Sequence, residues 1–227
     1  MHMIPGLTSI GIIKKKHPLM SNKALNQRLQ QYAEERIAEF ETIGEERKKH
    51  LHTVAKYVRA RSSHEQKTKL VFICTHNSRR SHISQIWAQI AAHYFGAKGV
   101  ETYSGGTEAT AFHPNAVRAL RETGMQIEKI AEGTNPVYHC YYSNDAPPVQ
   151  AFSKVFDAPE NPASGFAAIM TCTHADENCP FVPGAERRFL LSYDDPKDFD
   201  QTPGEERAYR ERTRQIACEM LYLFSKI

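Results

Sequence analysis

The sequence predicts an open α/β fold, a four-stranded parallel sheet with helices on both faces, preceded by a helical hairpin. Three observations lead there. Four short β-prone runs punctuate the chain at residues 70–73, 100–104, 166–171 and 188–192. Stretches whose apolar residues recur at helical spacing flank them. Each run ends in polar, reactive or Gly-rich residues, the arrangement of a parallel sheet whose site lies at the carboxyl ends of its strands.

At 227 residues the chain is long enough for one well-buried domain plus an extension. A composition of 41% hydrophobic and 24% charged residues is that of a globular protein. The net charge of +3 is too mild to argue for nucleic acid, and no basic block is interleaved with aromatics, so no nucleic-acid partner is expected. Five unevenly placed cysteines do not form a secreted disulfide framework and point to a reducing cytoplasm, with some thiols kept for chemistry. No apolar run reaches membrane-spanning length, so no membrane partner is expected either. Residues 1–19 read as a loose leader, because their apolar part precedes Lys14, Lys15 and Lys16, the reverse of a signal peptide. Met20, ahead of the cap-like Ser21-Asn22, is an alternative start that an intact Met1 in the native protein would exclude.

Residues 21–61 read as the hairpin. Leu25, Leu29, Tyr32, Ala33, Ile37 and Phe40 make one helical stripe; Leu51, Val54, Ala55 and Val58 make another beyond the break at Gly44. Lys48, Lys49, Lys56, Arg59 and Arg61 read as a solvated face. The stripes are expected to pack on the α/β domain or on a second subunit. A polar linker at 62–67 divides the chain into 1–66, leader and hairpin, and 67–227, the α/β domain.

The first strand runs directly into Cys74-Thr75-His76-Asn77-Ser78-Arg79-Arg80-Ser81, after which Ile83, Ile86, Trp87 and Ile90 mark one face of a helix. A loop turning from a strand end into a helix start offers backbone N–H groups and the positive end of the helix dipole, a nest for a tetrahedral oxyanion built here from Thr75 to Ser81. Cys74 would sit beneath the anion, its thiolate favoured by those N–H groups, by Ser81 and by the arginines. Arg80 can fork two N–H groups onto equatorial oxygens, which lysine cannot. The plainer alternative is a buried structural cysteine in a polar turn.

Residues 100–104 supply the second strand, ending in Gly105-Gly106, and Pro114 opens a helix through Ala116, Val117, Leu120 and Met125. Residues 134–162 hold two β-prone runs, 137–142 and 149–156, about Asp145-Ala-Pro-Pro148, and read as a hairpin. Its tyrosines either line a cleft or pack on the domain, and Cys140 within it is structural or incidental. The third and fourth strands bring Cys172 and Tyr193-Asp194-Asp195-Pro196 to the rim that carries Cys74. A long helix from Pro203, with Tyr209, Ile216, Met220, Leu223, Phe224 and Ile227 on one stripe, closes the domain.

The 74–81 loop, with its strand and helix, resembles the nucleophile loop of the low-molecular-weight protein tyrosine phosphatase superfamily, which includes the thioredoxin-coupled arsenate reductases. His76 stands where glycine is common and Arg79 where a cysteine often sits. Histidine tolerates unusual backbone angles, and Arg79 would favour the thiolate if it pointed inward. Ser104-Gly105-Gly106 is a near match to the family's Ser-Ala-Gly turn, or else a tight turn and no more. Against compact members the 134–162 hairpin is an insertion, and the 21–61 hairpin falls outside the resemblance. The resemblance implies a low-molecular-weight-phosphatase-like fold with no metal and no cofactor, Cys74 as nucleophile, Arg80 as anion clamp and Asp195, just before Pro196, as general acid. An acid poised there would protonate the leaving oxygen, which contributes about 10²–10⁴-fold. A solvated turn carboxylate is the alternative.

Cys172-Thr-His-Ala-Asp-Glu-Asn-Cys179-Pro180 is similar to the redox segment of the arsenate reductases. That similarity implies a relay. Cys74 attacks arsenate and displaces water or hydroxide. Cys172 attacks the arseno-cysteine, releasing arsenite and leaving a Cys74–Cys172 disulfide. Cys179 then takes over Cys172, and the Cys172–Cys179 disulfide moves outward to a thioredoxin-like reductant. A buried, inert Cys172 with an incidental Cys179 is one alternative. Zinc on Cys172, His174 and Cys179 is another, lacking a fourth ligand. Phosphatases of the family place aromatic residues after the Asp-Pro, whereas Lys197-Asp198 follow here and Phe199 comes later. The expectation is a cytoplasmic arsenate reductase whose substrates are arsenate and, as a side activity, phosphate monoesters. A protein tyrosine phosphatase whose Cys172 and Cys179 guard Cys74 is the alternative, and a catalytically silent phosphate sensor is a third.

Overall fold

In a computed structural model of the chain, residues 24–62, 67–178 and 181–227 are described. The leader, Met20, the Ser21-Asn22 cap, most of the linker, Cys179 and Pro180 lie outside them. Helices α1 (Gln27–Ile37) and α2 (Glu45–Ser62) form the hairpin, with a 3₁₀ turn at Phe40–Thr42 and Gly44 between them. Strand β1 (Thr68–Cys74) leads into α3 (Arg80–Tyr94), followed by β2 (Val100–Gly106) and α4 (Pro114–Glu122). Strands β3 (Gln126–Ala131), β4 (Val137–Tyr141) and β5 (Val149–Ala151) come next. Then β6 (Phe166–Met170), α5 (Thr173–Asn178), β7 (Ala185–Leu190) and α6 (Glu205–Phe224) complete the chain.

The main sheet is parallel throughout, in the order β2-β1-β6-β7. Leu70, Val71, Phe72 and Ile73 are buried on both faces, as a central strand requires. Leu70 and Phe72 pack into one apolar cluster with Trp87 of α3, Leu120 of α4, Ile216 of α6 and the hairpin residues Leu29, Leu51 and Val58. The hairpin stripes thus pack on the α/β domain. Arg47 of α2 also pairs with Glu219 of α6 at 2.7 Å. Val71 and Ile73 face the other way, against Met170, Cys172, Ala175 and Val182, so that face is closed by α5 and its flanking segments.

Several boundaries differ from the sequence reading. The helix from Pro114 ends at Glu122, and Met125 lies beyond Gly124, whose φ of +97° turns the chain out of the helix. The fourth strand starts at Ala185 and ends at Leu190 instead of spanning 188–192. It is an edge strand with Glu186, Arg187 and Arg188 exposed, so apolar patterning marked only its far end. Gly105 and Gly106 continue β2 instead of turning. The hairpin at 134–162 is part of a three-stranded antiparallel sheet, β3-β4-β5, whose outer strand is polar and carried no strand signal. Its 149–156 run is a strand only as far as Ala151; Val155 then bridges to Gly106 at the edge of the main sheet.

That bridge buries Lys154, which is 7% exposed and has its ammonium 4.5 Å from the ring centre of Phe152. Burial pulls its pKa down to about 8. A folded pKa below the unfolded value means the charge costs the native state stability at every pH below about 8, and the cost fades as pH rises from there towards 10.5. Lys154→Met is therefore expected to raise the unfolding free energy by about 3 kcal/mol at pH 7. The gain should vanish by about pH 10.5. Denaturant titrations at both pH values check it; a destabilised variant at pH 7 would refute it.

Candidate active site

Cys74 is the last residue of β1 and is 4% exposed. Its Sγ lies 3.1 Å from Ser81 Oγ, at the first turn of α3, and Ser81 Oγ accepts from Asn77 Nδ2 at 2.8 Å. The left-handed residue of the loop is Asn77 (φ +43°), not His76. Asparagine visits that region more readily than most residues. His76 turns its ring outward, 3.6 Å from Glu108.

Four of the loop's carbonyls are occupied from outside. Cys74 O accepts from Thr107 N at 3.1 Å, Thr75 O from Glu108 N at 2.8 Å and Ser78 O from His113 N at 3.0 Å. His76 O accepts from the hydroxyls of Thr110 (3.1 Å) and Ser153 (3.0 Å). By contrast, the backbone N–H groups of Thr75 to Arg79 donate to no acceptor among the described residues. Buried N–H groups are rarely left without a partner, and a run of them beside a thiol is the composition of an anion cup. Gly106 lets β2 come this close: a Cβ there would lie 2.2 Å from Glu108 O and 2.7 Å from both Asn77 N and Thr75 O.

The adjacent arginines point to different partners. Arg80, its side chain 12% exposed, donates from Nη1 to Tyr193 O at 2.9 Å and pairs through Nη2 with Asp195 Oδ2 at 2.5 Å. Its Nε is buried with no hydrogen-bond partner among the described residues. Arg80 and Asp195 are thereby brought to one place. Arg79 instead donates from Nε to Tyr209 Oη at 2.6 Å and from Nη2 to Asp200 Oδ2 at 2.8 Å, so its charge is committed to these two. Asp195 starts the 3₁₀ turn Pro196–Phe199, accepting from Lys197 N at 3.1 Å.

Cys172, two residues beyond β6, is 2% exposed and shares a buried cluster with Cys74. Its Sγ accepts from Ala175 N at 3.3 Å and lies 3.6 Å from Thr75 Oγ1, which in turn lies 3.2 Å from His174 Nδ1. Asp176 pairs with Arg188 of β7 at 2.6 Å and so ties α5 to the sheet. Cys179 lies outside the described residues. Among the described residues no three His, Cys, Asp or Glu side chains gather as a metal cluster. Burial pushes the thiols of Cys140 and Cys218 up to about 12, which leaves them almost wholly protonated at neutral pH.

Several supporting residues carried no local signal. Ser153 holds His76 O, Lys154 N donates to Asn77 Oδ1 at 2.9 Å, and Asn161 Nδ2 donates to Ser104 O at 3.0 Å. All three belong to the 134–162 segment, which packs against the cup. Arg47 of the hairpin lies 4.7 Å from the ring centre of Tyr193, whose carbonyl holds Arg80.

Residues 69–138 match the family model described as low molecular weight phosphotyrosine protein phosphatase, a stretch that includes the 74–81 loop. An arsenate reductase of Bacillus cereus is 31% identical over 163 residues, which cover 71% of this chain and 97% of the relative. The arsenate reductase of Bacillus subtilis is 29% identical over 157 residues, 69% of this chain and 94% of its own. Among solved structures, a low molecular weight protein tyrosine phosphatase from T. tengcongensis is 17% identical, with a TM-score of 0.47 over 71% of this chain and all of its own. An arsenate reductase in a phosphate-binding state is 20% identical, with a TM-score of 0.44 over 70% of this chain and 98% of its own.

Proposed function

Because the chain belongs to the low molecular weight phosphotyrosine protein phosphatase family, we propose that it is a cysteine-dependent arsenate reductase with side activity on phosphomonoesters. The observation that carries this reading is the loop itself, with the carbonyls of Cys74, Thr75, His76 and Ser78 claimed from outside and, among the described residues, the N–H groups of Thr75 to Arg79 unclaimed beside the Cys74 thiol. Such a cup holds a tetrahedral oxyanion and stabilises a thiolate beneath it.

Cys74 Sγ attacks arsenic and water or hydroxide leaves, with Asp195 supplying the proton. An incoming oxyanion competes with Asp195 for Arg80, and the freed carboxyl is then available to carry that proton. Cys172 Sγ next attacks Cys74 Sγ. The sulfur–arsenic bonding pair departs with arsenic, which is reduced from the +5 to the +3 state, and the two sulfurs are oxidised to a disulfide. Cys179 displaces Cys74, and a thioredoxin-like dithiol reduces the Cys172–Cys179 bond. The nearness of Cys172 to Thr75, the residue next to the nucleophile, favours this reading over a plain phosphatase. A reducing cytoplasm, with its thioredoxin-like partner, belongs to the same reading; among the described residues no helix is long and apolar enough to cross a membrane.

The test is arsenate-dependent consumption of NADPH in the presence of thioredoxin and its reductase, followed by mass mapping of disulfides. Turnover with a Cys172–Cys179 bond is expected. Hydrolysis of p-nitrophenyl phosphate without any arsenate reduction would favour the phosphatase alternative.

A further inference from the structure

Arg79 makes its ion pair away from Asp195, with Asp200, and its side chain is only 11% exposed. It grips Asp200, which ends the turn that Asp195 begins. Tyr209 braces the pair: its hydroxyl accepts from Arg79 and donates to Asp200 Oδ1 at 2.7 Å, and its ring stacks on His113, whose backbone N–H holds Ser78 O of the cup. Burial raises the Tyr209 pKa, which keeps that hydroxyl a donor. The 195–200 turn therefore has two anchors on the cup, Arg80 at Asp195 and Arg79 at Asp200. An oxyanion in the cup takes the first, because the guanidinium of Arg80 is what clamps its oxygens. The second is untouched by the anion.

We infer that Arg79 is a positioning residue for the general acid: its ion pair with Asp200, braced by Tyr209, holds the 195–200 turn over the cup while Arg80 is engaged by the oxyanion. The inference rests on the proposed function and adds a residue whose role lies outside anion binding.

The test compares kcat/KM for phenyl phosphate, whose leaving oxygen needs a proton, with that for 2,4-dinitrophenyl phosphate, whose leaving group needs none. Arg79→Ala is expected to lose on the order of 10²-fold on phenyl phosphate, as a displaced catalytic group does, with little loss on the dinitrophenyl ester. Added to Asp195→Asn, it should cost nothing more on phenyl phosphate, because both changes remove the same proton transfer. Equal losses on the two esters, or a full further loss on top of Asp195→Asn, would overturn the inference alone. If the wild-type protein turns over neither ester, the acid assignment falls and the inference with it. Should Arg79→Ala fail to fold, Asp200→Asn keeps the shape and removes the charge, and the same selective loss decides.

Discussion

Cys74→Ser is expected to lower turnover of arsenate and of phosphomonoesters by on the order of 10⁴-fold or more, the scale seen when an enzymic nucleophile is removed. A serine hydroxyl fits beside Ser81 but is scarcely ionised at neutral pH, and no base stands within reach of it in the described contacts of Cys74. The cup does not depend on the sulfur. Its N–H groups are aimed by carbonyl bonds to Thr107, Glu108, Ser153 and His113, none of which the substitution touches. The variant should accordingly still bind phosphate, raising its melting temperature with phosphate concentration as the wild type does. In the wild type, phosphate should protect Cys74 from iodoacetate. Cys140 and Cys218 should stay unlabelled with or without it, since burial keeps both thiols protonated. A Cys74→Ser protein that retains turnover would remove the nucleophile from the proposed mechanism.

Replacing Cys172 with serine, alone or together with Cys179→Ser, should bring arsenate reduction to the uncatalysed level and leave p-nitrophenyl phosphate hydrolysis largely intact. Hydrolysis needs only Cys74, Arg80, Asp195 and water. Reduction needs a second sulfur to take the electron pair's place, and serine oxygen cannot form that bond. Cys172 is well placed for the separation of effects, because its contacts are a Thr75 hydroxyl and one α5 backbone N–H and include none of the cup's structural bonds. Cys179→Ser alone should stop multiple turnover and trap a Cys74–Cys172 disulfide detectable by peptide mapping. Arsenate reduction surviving in Cys172→Ser would refute the relay; parallel loss of both activities would mean Cys172 serves the cup itself.

Much of the site could be read from residue order. The 74–81 loop is contiguous, so the strand period before it and the helical period after it place Cys74, Arg80 and Ser81 without any knowledge of distant residues. Asp195 needed more: its nearness to Arg80 follows from the strand order, since β1 and β7 are held on either side of β6. Arg79 could not be resolved in this way. Two adjacent arginines look alike in a sequence, and only the positions of Tyr209, Asp200 and Asp195 separate the one bonded to Asp200 from the one bonded to Asp195. The outer strand β3 was missed because an exposed polar strand has no alternation to detect.

Residue order was enough for the α/β class, the parallel sheet, the loop and its cysteine, since each arises from residues close along the chain whose spacing alone sets which way they face. Tertiary structure decided how the cup is held. Ser153 grips it from a segment 77 residues away, Arg47 backs Tyr193 from the hairpin, and Thr75 reaches Cys172 across 97 residues. Such contacts are made by folding the whole chain, and no local period encodes them.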